Sequence, residues 1–253
     1  MSALDVVAEQ LARARRVLFV TGAGLSADSG LPTYRGVGGL YEDADTPAGL
    51  PIEEVLSGGM FARDPALVWK HVLEIEQACR GAAPNRGHEV MAAFETRADV
   101  VVLTQNVDGL HRAAGSRDVI EIHGRVDRLV CTSCGYLEEV ADFSGLTFED
   151  GVVRCPECGG VRRPTVVLFD ELLPGGAVQR LEEELARGFD LVLSVGTSSG
   201  FPYIAAPVLL QVERGRVAVE INPGLTDVSE VVTHRLPGRA APILDELWQR
   251  CSA

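Results

Sequence analysis

The sequence predicts an α/β protein built on a doubly wound parallel sheet with a smaller inserted domain. Three observations support this fold class. Short runs of Val, Ile and Leu alternate with stretches of helical periodicity, a glycine-rich turn follows the first of these runs, and four of the six cysteines fall into two Cys-x-x-Cys pairs. Apolar strands without polar alternation are typical of a parallel sheet that is covered on both faces.

The predicted elements follow one another along the chain. Residues Met1–Arg16 place apolar side chains at helical spacing and predict a first helix. Further helices are predicted around Pro65–Ala78, at His88–Thr96 and at Leu181–Arg187. The predicted core strands are Val17–Thr21, Val100–Thr104, Val119–Ile122, Leu191–Val195 and Val217–Ile221.

Two insertions interrupt this series of strands. The first, residues 36–88, is rich in glycine and proline and contains the predicted helix at Pro65–Ala78; the second, residues 125–163, holds the grouped cysteines. We expect the two insertions to meet as one small domain. The remaining segments, 1–35, 89–124 and 164–253, are then predicted to form the domain that contains the parallel sheet.

Composition and charge limit the classes of function. The chain has 253 residues, 46% of them hydrophobic, which is enough for a full-sized core. Acidic residues outnumber basic ones by 36 to 23, a formal charge of −13, so nucleic acid is not an expected partner. No apolar run reaches the roughly 20 residues of a membrane span, and the N-terminus does not have the pattern of a signal peptide. We therefore expect a cytoplasmic protein, and a monomer is favoured.

The grouped cysteines predict a zinc site. Cys131-x-x-Cys134 and Cys155-x-x-Cys158 are separated by twenty residues, and Gly135, Gly159 and Gly160 provide tight turns after each pair. This spacing is typical of a zinc ribbon, in which four thiolates close the coordination shell of one structural ion.

Two other aspects of the cysteine region need an interpretation. Zinc ribbons also occur as nucleic-acid modules, but the arginines near these cysteines are offset by acids, which favours a mixed, solvated surface. Cys79 and Cys251 stand alone within helical patterns, and we interpret them as packing residues.

The first glycine turn predicts a phosphate-binding loop. Strand Val17–Thr21 runs into Gly22-Ala23-Gly24-Leu-Ser26, a strand, turn and helix start of the kind that holds a pyrophosphate in Rossmann-like folds. A glycine turn between any strand and helix would look the same. The acid that a dinucleotide site expects about 20 residues later is missing, because the first insertion begins there. The later polar groups Glu220 and Asn222, in Val217–Asn222 beside the turn Ser194–Gly200, are offered as substitutes. The missing acid makes an ordinary hydride-transferring dehydrogenase less favoured.

Three polar clusters follow predicted strands, at Thr104–Gly109, Glu121–Gly124 and Phe169–Glu171. A histidine such as His123, just beyond a strand, suits proton transfer near neutral pH. Each cluster alone has a structural alternative, since single histidines are often core residues and Asn106 or Asp108 can form turns. Their joint position at one edge of the sheet, together with the glycine loop, favours a site.

An ordered series of motifs runs along nearly the whole chain. It comprises Gly22-Ala-Gly-Leu-Ser-Ala-Asp-Ser-Gly-Leu-Pro-Thr-Tyr-Arg35-Gly, Thr104-Gln-Asn-Val-Asp108, His123-Gly, the two Cys-x-x-Cys pairs, Arg163-Pro-Thr-Val-Val, Gly196-Thr-Ser and Asn222-Pro. This series resembles the sirtuins, in particular those of bacterial type. Its first run and its cysteine spacing are the most specific parts.

The resemblance implies an NAD-dependent protein lysine deacylase. In such an enzyme nicotinamide leaves NAD, the acyl oxygen of the modified lysine captures C1′ of the ribose, and a general base then activates a ribose hydroxyl, giving free lysine and O-acyl-ADP-ribose. The implied cofactors are NAD as co-substrate and one structural Zn²⁺, and the implied partners are acyl-lysine proteins or peptides.

The resemblance also assigns roles to residues at matching positions. His123 is the implied general base, with Asn106 and Asp108 as further catalytic residues. The implied NAD-binding residues are Gly22, Ala23, Gly24, Ser26, Tyr34, Arg35, Gln105, Asn106, Asp108, Gly196, Thr197, Ser198, Asn222 and Ala240. The first four are implied to hold the phosphates, the next two to cover the site from a loop, the following three to surround the nicotinamide ribose and amide, and the last five to lie around the adenosine half. Phe169, Gly200 and Phe201 are the implied substrate-binding residues. The acyl-lysine is implied to lie in an apolar tunnel between the Phe169 loop and Gly200–Tyr203, where its peptide adds a strand.

The sequence departs from the family in two places. Many sirtuins have Phe-Gly-Glu where this chain has Phe169-Asp170-Glu171, which puts the grip on the peptide backbone in question. The stretch around Trp69–Val72 lacks the Tyr-x-x-Arg pair of sirtuins that prefer acidic acyl groups, so we expect neutral acyl groups. Two alternatives stay open: a protein ADP-ribosyltransferase of the same fold, and a non-catalytic NAD- or zinc-dependent interaction module.

Overall fold

The structure, a computed structural model, describes residues 2–33 and 49–252. Its α-helices are α1 Ala3–Arg13, α2 Ala23–Ser26, α3 Ile52–Val55, α4 Gly58–Arg63, α5 Pro65–Cys79, α6 Arg86–Phe94, α7 Leu110–Ala113, α8 Gly175–Arg187, α9 Pro202–Glu213 and α10 Ala240–Ser252. Its strands are β1 Arg16–Thr21, β2 Asp99–Thr104, β3 Val119–Glu121, β4 Arg128–Cys131, β5 Leu137–Glu139, β6 Phe148–Glu149, β7 Val152–Arg154, β8 Val161–Pro164, β9 Leu191–Val195, β10 Val217–Ile221 and β11 His234–Leu236.

Six strands form the parallel sheet, in the order β11-β10-β9-β1-β2-β3. Numbered within this sheet, the order is 3-2-1-4-5-6, which is that of dinucleotide-binding folds. Every pair is parallel, and the two central strands, β1 and β9, align Val17 with Leu191 and Thr21 with Val195. The strand order reverses between β1 and β9, and ligands bind at that switch point in open α/β sheets.

Helices cover both faces of the parallel sheet. One apolar cluster joins Phe19, Val102 and Leu193 to the face that α1, α6 and α10 cover. The opposite cluster joins Leu18, Val101 and Val192 to residues of α8 and α9. Adjacent residues of one strand thus contribute to opposite clusters, which is why these strands contain no polar alternation.

The second sheet is antiparallel and has the order β5-β4-β8-β7-β6. It shares a third apolar cluster with the helices of the first insertion, so that Trp69 and Val72 of α5 pack with Leu129 and Phe143. The Trp69 indole N–H donates to the carbonyl oxygen of Arg162 in β8 (2.8 Å), and the ring makes an edge contact with Phe143. The two insertions therefore bury one common core; the domain limits drawn from the sequence stay a prediction.

The five predicted core strands are present with ends that differ by at most one residue. β11 was not predicted, because His-Arg-Leu has no apolar run. Helix α8 begins six residues before the predicted Leu181, since the pair Gly175-Gly176, which suggests a loop, forms its first turn. Helix α6 begins at Arg86 rather than His88, because the Asn85 side chain accepts from the Gly87 and His88 amides. Helix α9 was also not predicted, and α10 was predicted only as a helical pattern around Cys251, without bounds.

Three arginines in or beside the cysteine region form close ion pairs with acids. Arg162 pairs with Glu138, Arg125 with Asp127, and Arg163 with Glu171. This pairing agrees with the mixed surface expected from the sequence.

None of the helices within residues 2–33 and 49–252 combines the length and hydropathy that a bilayer crossing requires.

Candidate active site

Two glycine turns pack directly against each other at the switch point. The Gly24 amide donates to the Gly196 carbonyl (2.8 Å), and a Cβ on Gly24 would lie 2.8 Å from that same oxygen. Gly196 has a φ of +59°, and a Cβ there would lie 2.4 Å from the Leu25 nitrogen. A Cβ on Gly22 would lie 2.8 Å from Cβ of Thr197. Glycine is thus required at these positions so that the two turns can contact each other. This contact brings the residues that follow β1 and β9 to one place.

Ser26, Asn106 and Asp108 form a hydrogen-bonded group beside the first turn. The Ser26 hydroxyl donates to the Asp108 carboxylate (2.6 Å). The side-chain amide of Asn106 donates to Ser26 Oγ and to the Gly22 carbonyl (both 3.0 Å). Ser26 and Asn106 are buried, and a cavity lined by all three also has Ala23 and Cys79 in its wall. The structure therefore assembles four residues that the resemblance assigns to NAD around one cavity.

The carboxyl group of Asp108 has an unusual environment for an acid. Burial raises its pKa, while hydrogen bonds from Ser26 and from the Leu110 amide (3.0 Å) act in the opposite direction. A carboxyl group with a raised pKa at the wall of a cavity is typical of a functional site.

His123 lies just after β3 with both ring nitrogens engaged. Nδ1 lies 3.2 Å from the Gln105 carbonyl oxygen, and Nε2 lies 2.7 Å from the Tyr203 hydroxyl. A carbonyl only accepts, so Nδ1 carries the proton and Nε2 presents its lone pair to Tyr203. Burial lowers the pKa of His123, which keeps the neutral, basic form populated to lower pH. This is the tautomer that a general base requires.

Tyr203 was missed as a site residue. Burial raises the pKa of its hydroxyl to about 12, so it is a hydrogen-bond donor to His123 at ordinary pH. Its ring stacks on Phe201, and both rings make edge contacts with His123. The sequence places Tyr203 only within the predicted substrate tunnel, and no motif links it to a histidine 80 residues earlier.

The second turn holds the polar residues that were assigned to the adenosine half of NAD. The side-chain amide of Gln105 donates to Thr197 Oγ1 (2.7 Å), and the side-chain amide of Asn222 donates to the Thr197 backbone carbonyl (3.1 Å). Ser198 is exposed, and its carbonyl accepts from the Asp227 amide (3.1 Å). Ala240 is buried at the start of α10.

Glu220 is no substitute for the missing ribose-binding acid. Its side chain is fully buried, accepts from Ser229 (2.7 Å) and Arg235 (2.8 Å), and contacts the Thr226 hydroxyl. These contacts use the carboxylate within the protein.

The substrate-binding residues implied by the resemblance border His123 on two sides. The Val167 amide donates to the His123 carbonyl (2.9 Å), which places the segment leading to Phe169 next to the histidine. Phe201 contacts the imidazole from the other side (ring centroids 5.7 Å apart), and Gly200 precedes it. Both phenylalanines remain partly exposed. Tyr34 and Arg35, assigned to a loop over the site, lie outside the described residues.

The four grouped cysteines converge. All four Sγ atoms lie within 4.8 Å of one another, with Cys131 and Cys158 3.5 Å apart and Cys134 and Cys155 3.7 Å apart. Four thiolates about 2.3 Å from a tetrahedral ion would be about 3.8 Å apart, so the spacing fits zinc. Each pair forms the same knuckle, since the Gly135 and Gly159 amides donate to the carbonyls of Cys131 and Cys155.

Behind the glycine turn lies a second buried group that the sequence did not indicate. Thr21, the last residue of β1, hydrogen-bonds to His111 Nε2 (2.9 Å), and the His111 ring makes an edge contact with His88. All three side chains are buried. Each histidine would have been interpreted as a core residue from sequence, because only the fold brings them together.

The fold and the site define a class: an α/β protein with a dinucleotide-type switch point and a four-cysteine ribbon. The sequence model of the Sir2 family matches residues 22–201. An NAD-dependent protein deacylase 2 of Pseudomonas aeruginosa is 51% identical over 252 residues, covering 97% of this chain and 96% of that protein. An NAD-dependent protein deacylase of Thermococcus kodakarensis is 40% identical, covering 98% and 95%. The chain belongs to the Sir2 family, the sirtuins.

Solved structures agree with this assignment. A Sir2 homologue in complex with NAD aligns with a TM-score of 0.86 at 34% identity, covering 98% of this chain and 93% of that one. A Sir2 protein with a deacetylated p53 peptide and 3′-O-acetyl ADP-ribose aligns with a TM-score of 0.84 at 27% identity, covering 97% of both chains.

Proposed function

We propose that this protein is an NAD-dependent protein lysine deacylase, which transfers the acyl group of a modified lysine to ADP-ribose and releases nicotinamide. The observation that carries the proposal is the state of His123. Its Nδ1 donates to a backbone carbonyl, its Nε2 lone pair accepts from the Tyr203 hydroxyl and can take a proton from a ribose hydroxyl that displaces it, and it lies between the two segments assigned to the substrate. A base held in this way suits proton removal from a hydroxyl.

The other residues of the site fit the co-substrate. The cavity lined by Asn106 and Asp108 provides amide and carboxyl groups for the nicotinamide half of NAD, and Ser26 in the same wall provides a hydroxyl group for the phosphates. The turn at Gly196–Ser198 and Asn222 provide polar atoms for the adenosine half. When bound, NAD supplies the ADP-ribose group that accepts the acyl oxygen. The role of the protein is to orient the ADP-ribose group and to exclude water around the buried Asn106. His123 Nε2 then accepts a proton from a ribose hydroxyl.

The four cysteines fit a structural zinc ion. Two of them, Cys131 and Cys155, are buried and two are exposed, and all four thiolates are needed to close a tetrahedral shell. A closed shell leaves no position for substrate, so the ion stabilises the antiparallel sheet.

An apolar cavity supports neutral acyl groups as substrates. It is lined by Phe61, Val68, Trp69, Val72 and Leu168, the last of these next to Phe169. Arg163 also borders this cavity, but its guanidinium is bound by Glu171 (2.9 Å) and lies over the Phe61 ring. A free carboxylate on the acyl group would therefore find this cation already neutralised.

The test is to incubate the protein with NAD and lysine peptides carrying acetyl, longer neutral and succinyl groups, and to measure nicotinamide release and product masses. We expect loss of the neutral acyl mass together with formation of O-acyl-ADP-ribose. Gain of ADP-ribose on protein would favour the ADP-ribosyltransferase. NAD binding without release of nicotinamide from NAD in the presence of any of these peptides would favour the interaction module. The cytoplasmic location, the monomeric state and the absence of a nucleic-acid partner stay predictions.

A further inference from the structure

Two residues with unusual backbone conformations lie at the proposed peptide site. Among the non-glycine residues of the described chain, positive φ values occur at Asp150 (51°), Asp170 (66°) and Ser199 (58°). Asp170 follows Phe169 and Ser199 precedes Gly200, so two of the three border the segments on either side of His123. The left-handed region disfavours residues with a Cβ, so such a conformation persists only when surrounding contacts hold it.

The side chain of Asp170 provides such contacts. Its Oδ1 accepts from the Gly58 amide (2.8 Å) and its Oδ2 from the Gly59 amide (3.2 Å), the first two amides of α4. The carboxylate thus binds two donors that have no partner within the helix. A Cβ on Gly58 would lie 2.9 Å from Asp170 Oδ1, so these glycines admit the carboxylate to the backbone.

Backbone hydrogen bonds join the same two segments. The Phe169 amide donates to the Leu56 carbonyl (2.8 Å), the Gly58 amide donates to the Phe169 carbonyl (3.0 Å), and Ser57 pairs with Phe169 as a parallel bridge. Phe169 is therefore attached to the helical insertion on one side. Two residues earlier, the Val167 amide holds the chain to His123.

The next residue, Glu171, closes the segment from the other end. It accepts from the Leu168 amide (2.8 Å) and pairs with Arg163, whose guanidinium lies over the Phe61 ring of α4. Both acids of the Phe169-Asp170-Glu171 run therefore bind groups within the protein, and neither carboxylate is free to bind a peptide.

We propose that Asp170 is a positioning residue for peptide binding: by binding the start of α4 it orders the Phe169 segment before the acyl-lysine peptide arrives. The proposal rests on the proposed function, because it concerns the peptide side of that site. An edge that is already ordered loses less conformational entropy when a peptide strand pairs with it. Asp170 contacts neither His123 nor the NAD cavity, so its effect falls on peptide affinity.

The test compares Asp170→Gly and Asp170→Asn with Asp150→Gly, a matched control at another exposed aspartate with positive φ, on the turn between β6 and β7. For Asp170→Gly we expect the peptide KM, and the Kd of a fluorescein-labelled acetyl-lysine peptide, to rise about tenfold, with kcat and the NAD KM unchanged. Asp170→Asn retains one acceptor and directs an N–H at the other amide, so we expect a smaller rise in the same direction. Asp150→Gly should leave all four constants unchanged.

Hydrogen exchange at Phe169 and Gly58 gives an independent measure, since both amides should exchange faster in Asp170→Gly and not in Asp150→Gly. An unchanged peptide Kd in Asp170→Gly would overturn the positioning role. A fall of kcat as large as the rise of the peptide KM, or a loss of folded structure in both Asp170 variants, would also overturn it. A wild-type protein that binds the peptide without deacylating it would overturn the proposed function instead, and the Kd comparison would still decide the role of Asp170.

Discussion

The parallel sheet and the four-cysteine sheet hold their functional atoms by different means. β9 is buried along its whole length, and the turns that follow β1 and β9 contact each other through backbone atoms of Gly24 and Gly196. In the antiparallel sheet, β5 has only its central residue partly buried, and the cysteines sit on knuckle turns. The proposed NAD site thus depends on backbone atoms that approach closely, and the proposed zinc site depends on side-chain atoms that an ion can join.

Loss of one cysteine tests the ribbon half of this comparison and has the largest expected effect on stability. Cys131→Ser leaves three thiolates, so we expect loss of zinc and about 5 kcal/mol of destabilisation of the antiparallel sheet. Zinc content by mass spectrometry and thermal melting measure it. Cys251→Ser, at a partly buried cysteine of α10, is the control and should retain the metal. A Cys131→Ser protein with full zinc would show that the site does not need four thiolates.

Adding one methyl group tests the other half. Gly196→Ala places a Cβ 2.4 Å from the Leu25 nitrogen at a positive φ, so we expect about 3 kcal/mol of destabilisation and loss of NAD binding. Gly215→Ala is the matched control, because its φ is +67° but nothing lies within 4 Å of the added Cβ. It should cost about 1 kcal/mol and leave NAD binding intact. Denaturant unfolding and calorimetric NAD titration distinguish the two; equal behaviour would refute the contact between the turns.

The histidines behind the glycine turn make the stability of the parallel sheet depend on pH. Burial lowers the pKa of His88 to about 4 and, together with the neighbouring His88, that of His111 to about 3. Below pH 6.5 both histidines become protonated in the unfolded chain but stay neutral in the folded chain. Their contribution to the free energy of unfolding is therefore fully present above pH 6.5 and decreases as the pH falls toward 4. The expected slope is about 1.4 kcal/mol per pH unit for each histidine.

Urea unfolding at pH 7.5 and 5.5, on wild type and His111→Asn, measures this slope. In the variant, the part of the change in the free energy of unfolding that comes from the two histidines should be about half of that in the wild type. The same pH dependence in both proteins would show that His111 is protonated equally in the folded and unfolded states.

The smallest expected effect concerns Tyr203. Its hydroxyl donates to His123 Nε2 at 2.7 Å, where a ribose hydroxyl has to bind for proton transfer. Tyr203→Phe removes this competitor, so we expect kcat/KM for the acyl peptide to rise about threefold, which corresponds to less than the usual net value of one hydrogen bond. A fall in kcat/KM would mean instead that the tyrosine hydroxyl takes part in the proton transfer.

Sequence patterns predicted those parts of the molecule that depend on local chemistry. Buried strands need continuous apolar runs, so five of the six strands of the parallel sheet were predicted to within one residue, and the spacing of Cys131, Cys134, Cys155 and Cys158 predicted their convergence. β11 was missed because it has no apolar run. The cluster of Thr21, His111 and His88 and the contact of Tyr203 with His123 were missed because each joins residues far apart in sequence. Glu220 was misjudged since a polar residue at a strand end does not reveal which neighbours already bind it.

The central claim is that His123 acts as the base at an edge of the sheet that forms without it. The most direct test measures deacylation of an acetyl-lysine peptide by His123→Ala, together with zinc content and melting temperature. We expect kcat to fall by a factor of about 10² to 10⁴ while zinc and melting stay those of the wild type. A His123→Ala protein that is folded, zinc-loaded and as active as the wild type would contradict the claim.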